Sequence, residues 1–265
     1  MFAELNNLLG WSQTQLPSET MCFVRETSDE GSLVLHHLMS LFLKANGGSV
    51  CIVGLAQSFT HYSSVATRLS LNLNKLKQDG RFVFVDAMKH IGEDTLVKCG
   101  IESAGGNDCW LNYHPDQPHS SIKGLFWHIK ELLKNLNEKT VVIIDDVSIL
   151  AALGLPVQDV VYFIEYLKKE VMGKRNTLAM LCHCTEGDND MELLWRQLSY
   201  HSDVIFEVSC LQTGLSRDVH GEMKVIKKDS SLLPGKDNVK KVQFKISDRN
   251  VHFFALGLSA AVIGH

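Results

Sequence analysis

Residues 140–150 read TVVIIDDVSIL. Val141, Val142, Ile143 and Ile144 form an unbroken β-branched run, and Asp145 and Asp146 follow at once. A continuous apolar run without alternation suits a strand buried on both faces, as in the middle of a parallel sheet. The paired carboxylates then fall where that strand ends. In open α/β sheets the strand ends on that side carry ligand chemistry. In nucleotide-hydrolysing proteins such a strand ends in the acid that helps hold magnesium. What the chain does therefore depends on whether the other parts of that apparatus are present.

Outward from this strand the pattern alternates helix and strand. Residues 121–137 are amphipathic, with Leu125, Ile129, Leu132, Leu133 and Leu136 on one helical stripe. Further back, residues 21–25 (MCFVR), 49–55 (SVCIVGL) and 81–86 (RFVFVD) read as strands. Residues 33–46 read as a helix stopped by Gly47 and Gly48. Residues 58–71 are expected to be partly helical, 72–80 to be a polar connection, and 89–120 a long irregular excursion. After the central strand, Pro156 opens a helix over 156–171. A strand at 176–182, an acidic loop at 185–190, a short helix at 191–200 and a strand at 203–208 follow. From 222 onward the helices stop, and 222–228, 240–246 and 250–256 read as strands, with a tight turn at 247–250. The expected fold is a doubly wound, mainly parallel α/β sheet with helices on both faces and a C-terminal antiparallel β-meander. Residues 1–20 are expected to be a short helical leader that packs on the domain or on a partner, and 21–265 a single domain.

Composition narrows the class. The chain is 45% hydrophobic and 21% charged, which is ordinary for a globular protein. A net charge of -4 gives no global drive toward nucleic acid or an anionic membrane. Between Arg217 and Arg249, however, nine Lys/Arg stand against five Asp/Glu. The seven cysteines include no CxxC pair, so no zinc knuckle or thioredoxin motif is written here. Cys22, Cys51 and Cys182 lie in apolar runs and read as small buried hydrophobes. The opening residues lack the features of a signal peptide, and no apolar run is long enough to span a bilayer. The expectation is a reduced, soluble, intracellular protein with no membrane partner.

A phosphate loop would lie after the first strand, as GxxxxGK[ST]. Its glycines let backbone N–H groups cradle phosphates, its lysine reaches the outer phosphates, and its hydroxyl holds magnesium. With Gly31 aligned to the second glycine, Glu26 takes the place of the first, Ser32 that of the lysine, and Leu33 that of the hydroxyl. Glu26, Asp29 and Glu30 crowd the turn. Each like-charge pair with a phosphate costs roughly 4 kcal/mol at about 4 Å and an effective dielectric of about 20, before screening. The site is therefore degenerate, with no catalytic residue, no metal and no cofactor expected. Asp145 and Asp146 then read as a polar strand end that caps the following turn.

Other clusters are weaker. Cys182 and Cys184 share a strand face with His183 opposite, and no second ligand pair stands out. His36 and His37 read as a core or groove pair. No GxSxG elbow supports a serine hydrolase. Residues 213–221 (TGLSRDVHG) form a turn-rich entry to the meander. Arg217, His220, Lys224, Lys227 and Lys228 are the candidate interface or RNA contacts. Lys and Arg there would give salt-sensitive, sequence-poor binding.

The order of parts resembles the RecA-like fold of the KaiC and DNA-recombinase group. In that group the strand after the first helix ends in a glutamate that activates water, and Gln57 stands at that place. More narrowly, the chain resembles the Elongator subunit-six family. MFAELNNLL at 1–9, DEGSLVLHHLMSLFLKAN at 29–46, AQSFTHYSSV at 56–65, IIDDVSILAALG at 143–154 and GLSRDVHGEMKV at 214–225 carry this. The resemblance spans nearly the whole chain and agrees with the missing phosphate loop. It implies a non-catalytic subunit that pairs with Elongator subunits four and five in a heterohexameric ring. That ring docks on the catalytic subcomplex, binds tRNA and supports wobble-uridine modification, in cytoplasm and nucleus. The alternatives are a divergent ATPase using Asp145 and a recombinase-like DNA-binding protein.

Overall fold

A computed structural model describes residues 3–28, 30–88, 118–136, 139–184, 187–211, 219–228, 237–247 and 250–255. In chain order its elements are α1 (Ala3–Leu9), β1 (Thr20–Glu26), α2 (Ser32–Lys44), β2 (Ser49–Gly54), α3 (Phe59–Arg68) and α4 (Leu73–Gln78). Then come β3 (Phe82–Asp86), α5 (Pro118–Leu133), β4 (Thr140–Ile144), α6 (Ser148–Ala152), α7 (Val157–Met172), β5 (Thr177–His183) and α8 (Asn189–His201). The chain continues through β6 (Val204–Ser209), β7 (Gly221–Lys227), β8 (Asn238–Ile246) and β9 (Val251–Ala255).

The strands form one nine-stranded sheet in the order β3-β2-β4-β5-β1-β6-β7-β8-β9. Strands β3 to β6 are parallel, and β6 to β9 form an antiparallel meander. The run TVVII is β4, paired with β2 on one side and β5 on the other, with all five residues buried. Alternate strand residues feed two cores, because side chains on a strand alternate between faces. Val141 and Ile143 join Cys22, Val24 and Ile52 beneath α1 to α4, whereas Val142 and Ile144 join Phe23, Val53 and Met180 beneath α5 to α8.

Two helices lie where the sequence suggests loops. The polar stretch 72–80 contains α4, started by the Asn72 side chain, which accepts a hydrogen bond from Lys75 N–H, and anchored by buried Leu73. α6 is a five-residue helix held by buried Leu150. The leader packs on the chain itself: Leu5 and Leu9 are fully buried. The Lys227 and Lys240 ammonium groups donate to the Leu9 and Leu8 carbonyls at the end of α1, the favourable place for cations. At its start, Glu4 Oε2 accepts the Phe253 N–H at 2.6 Å and so covers part of the β9 edge. Most of the irregular stretch 89–120 lies outside the described residues; its last three residues open α5.

Candidate functional site

The degenerate nucleotide site is assembled at the C-terminal ends of β1, β2, β4 and β5. Glu26 ends β1 and is only 7% exposed. Its Oε2 accepts the Gly31 N–H at 2.7 Å, at the N-terminus of α2. That is where a phosphate oxygen would sit in a working loop, because a helix N-terminus presents unpaired N–H groups and a positive dipole end. The carboxylate presses so close that a Cβ on Gly31 would meet Glu26 Oε2 at 2.5 Å. The N–H groups of Leu33 and Val34 are also taken within the chain, by the Glu30 and Gly31 carbonyls. Leu33, standing at the magnesium-hydroxyl position, is a core residue. Ser32, standing at the lysine position, opens α2 and lines a cavity of about 360 Å³ with Glu30, His36 and Arg68. Asp29 lies outside the described residues.

Burial pushes the Glu26 carboxyl above the usual range, while the Gly31 N–H and His183 pull it down and Asp146 pushes it up again. His183 Nδ1 stands 3.5 Å from Glu26 Oε1.

Asp145 does something the strand-end reading did not foresee. Its Oδ1 accepts the Leu55 and Ala56 N–H groups at 2.7 and 3.0 Å, and its Oδ2 accepts the Gln57 N–H at 2.8 Å. The Tyr62 hydroxyl donates to Oδ2 at 3.4 Å. The carboxylate thus caps the loop after β2, not the turn that follows it. Gly54 makes that loop tight: a Cβ there would meet Phe84 at 2.5 Å and the Gln57 carbonyl at 2.7 Å. Burial raises the Asp145 carboxyl, against three backbone donors that lower it. Asp146 is the residue that caps its own turn. Its Oδ1 accepts Ser148 N–H at 2.9 Å and the Ser148 hydroxyl at 2.6 Å. Gln57 contributes its backbone N–H, and the residue is exposed. Both Asp145 oxygens and Asp146 Oδ1 are thus taken by backbone and hydroxyl groups of the protein itself. Among the described residues no group of three or more His, Cys, Asp or Glu side chains could hold a metal ion.

Among the described residues the candidate RNA contacts do not form one patch. Lys224 Nζ is paired with Glu207 at 2.9 Å. Lys227 caps α1 and stands over the Trp11 ring at 5.6 Å. Lys228 donates to the Ser199 and Tyr200 carbonyls at the end of α8, at 2.5 and 2.7 Å. Burial is the main cause lowering both Lys227 and Lys228 from the ordinary lysine value. Lys224 and Lys227 are three apart on β7, so they point to opposite faces of the sheet. His220 accepts the Ile246 N–H on Nδ1 at 3.2 Å and pins the β7–β8 pair. Arg217 lies outside the described residues. The parity of the strand positions was visible in the sequence; the capping roles, which join residues far apart in the chain, were not.

Fold and site together define a RecA-like domain whose phosphate cradle is filled by its own carboxylate. A KaiC-like protein of Pyrococcus horikoshii superposes with a TM-score of 0.60 over 94% of each chain, at 11% sequence identity. The family model for Elongation complex protein 6 matches residues 2–248, and the chain belongs to that family. Elongator complex protein 6 of Xenopus laevis is 36% identical over 272 residues, covering 99% of this chain and all of the relative. The Homo sapiens protein of the same name is 31% identical over 273 residues with the same coverage.

Proposed function

We propose that the chain is a non-catalytic subunit of the Elongator complex, one of three kinds of RecA-like subunit in a heterohexameric ring with subunits four and five. The ring meets the catalytic subcomplex, binds tRNA and supports wobble-uridine modification, in cytoplasm and nucleus. Residues 21–265 serve as one ring-forming domain and 1–20 as a short segment before it. The observation that carries the non-catalytic reading is the Glu26 carboxylate on the Gly31 N–H, where a phosphate would have to sit. The commitment of Asp145 to three loop N–H groups supports the same conclusion. No described helix is long and apolar enough to cross a membrane.

Native mass spectrometry after co-expression with subunits four and five, with and without ATP, tests the ring. A six-membered species holding two copies of this chain supports it. The isolated chain, titrated with ATP, tests the site. Saturable ATP binding or hydrolysis by the monomer would overturn the non-catalytic reading and favour a divergent ATPase. Asp145→Asn is a poor test here, because the loop after β2 depends on that carboxylate.

A further inference from the structure

The outer face of a helix that packs on a sheet is ordinarily polar. Helices α5 and α7 depart from this. Trp127 on α5 is 56% exposed, and Tyr162 and Tyr166 on α7 are 55% and 63% exposed. Beneath them Ile122, Phe126 and Phe163 floor a groove of about 380 Å³ between the helices. Phe126 lies edge-on to both Trp127 and Tyr166, with ring centroids 5.6 and 6.3 Å away. Clustered Trp and Tyr over an apolar floor are what the energetic centre of a protein interface is made of.

Two cations at the rim of the groove stand outside its ion pairs. Glu170 is paired with Lys130 at 2.6 Å, Glu165 Oε1 stands 3.3 Å from His201 Nδ1, and Asp159 lies on the groove wall. Lys123 and Lys169 are exposed and make no ion pair among the described residues. α5 leads into β4 and α7 into β5, and those strands are parallel, so the two helices run in the same direction. The Lys130–Glu170 pair sets their register. Lys169 is therefore beside that pair on one wall, and Lys123 is two helical turns upstream on the other, about 10 Å along the axis.

We propose that this groove seats an amphipathic helix of a partner protein. That helix carries bulky apolar residues at i, i+3 or i+4 and i+7, and acidic side chains on both flanks. The apolar stripe fills the floor, the aromatic walls close over it, and the acids meet Lys123 and Lys169 about 10 Å apart on opposite sides. RNA suits the groove less well. Two unpaired lysines about 10 Å apart can meet two carboxylates but neutralise little of a phosphate backbone, and the recessed floor fits side chains better than a flat base. This names the chemistry of an occupant, which the ring reading leaves open.

The test uses the full chain, expressed in vertebrate cells with a photoreactive benzoylphenylalanine in place of Tyr166. The cross-linked peptide is then sequenced by mass spectrometry. The expected product is one segment of another protein with the stated apolar spacing and acidic flanks. Trp127→Ala should lower its yield at least tenfold, and Lys123→Glu with Lys169→Glu at least fivefold, with unchanged melting temperature. A cross-link to RNA, to a second copy of this chain, or to a neutral or basic segment would overturn the proposal. So would a yield no higher than that from exposed Lys139, which lies outside the groove, or a yield indifferent to the lysine reversals.

Discussion

Replacing Glu26 separates its role as a hydrogen-bond acceptor from its charge. Glu26→Ala leaves the buried Gly31 N–H at the start of α2 without its 2.7 Å acceptor. A buried donor stripped of its partner costs about 1–3 kcal/mol. For a domain of this size each kcal/mol moves the melting temperature by about 2–4 °C, so the alanine variant should melt about 2–12 °C lower. Glu26→Gln keeps a carbonyl oxygen for Gly31 and removes a buried charge from a site that already holds Asp146. It should stay within about 1 kcal/mol of the parent at neutral pH, because it keeps the Gly31 hydrogen bond and gives up only the long contact to half-exposed His183. The pH dependence has a definite sign. Burial raises the folded-state value of Glu26 above its ordinary 4.5. Its contribution is thus complete below 4.5 and is lost as pH rises through the folded value. The glutamine variant lacks that loss, so it should gain on the parent between mildly acidic and neutral pH. Thermal melts followed by circular dichroism across that range decide the matter. Equal destabilisation by Gln and Ala at neutral pH, or a glutamine advantage that grows toward acid, would refute the account.

Asp145→Asn should cost about 1–3 kcal/mol in urea unfolding, since one amide oxygen cannot serve both sides of the loop and the NH₂ would face the Gln57 N–H; a change under about 0.5 kcal/mol would mean that the three bonds are not made together. Lys227→Met should loosen the end of α1, seen as faster hydrogen exchange at the C-terminal turn of that helix with the sheet unchanged; uniform acceleration or none would remove the capping role. Iodoacetamide should modify exposed Cys210 in the native protein and leave Cys22 and Cys51 untouched until unfolding, because burial removes access and raises both buried thiols. Native labelling of Cys51 at the rate of Cys210 would contradict the position of β2 inside the sheet.

Much of the fold was legible because its signals are local. The run Val141–Ile144 can be buried on both faces only in an inner strand. The alternation of helical and strand periods gives a parallel sheet, and its end after residue 208 gives the meander. The α4 segment was misjudged because four of its six residues, LNKLKQ, are polar, and its helix is started by one Asn72 hydrogen bond and one buried leucine. The aromatic groove escaped notice for a related reason. Trp127 and the Tyr162–Tyr166 pair sit on the polar sides of two amphipathic helices, a signal that becomes a surface only when α5 and α7 lie side by side.

The sequence by itself determined that the phosphate loop is absent, since no glycine–lysine–hydroxyl set stands between β1 and α2. It also determined that Val141–Ile144 is an inner strand and that the C-terminal strands run antiparallel. Only the tertiary structure decided what the remaining polar groups do. Asp145 reaches a loop about 90 positions earlier in the chain because β2 and β4 are neighbours in the sheet. Lys227 reaches Leu9 because the last strands fold back over the first helix. Hydrophobic period is a property of neighbours along the chain, so it can be read from sequence. The partner of a buried charge is set by strand order, and strand order exists only after folding.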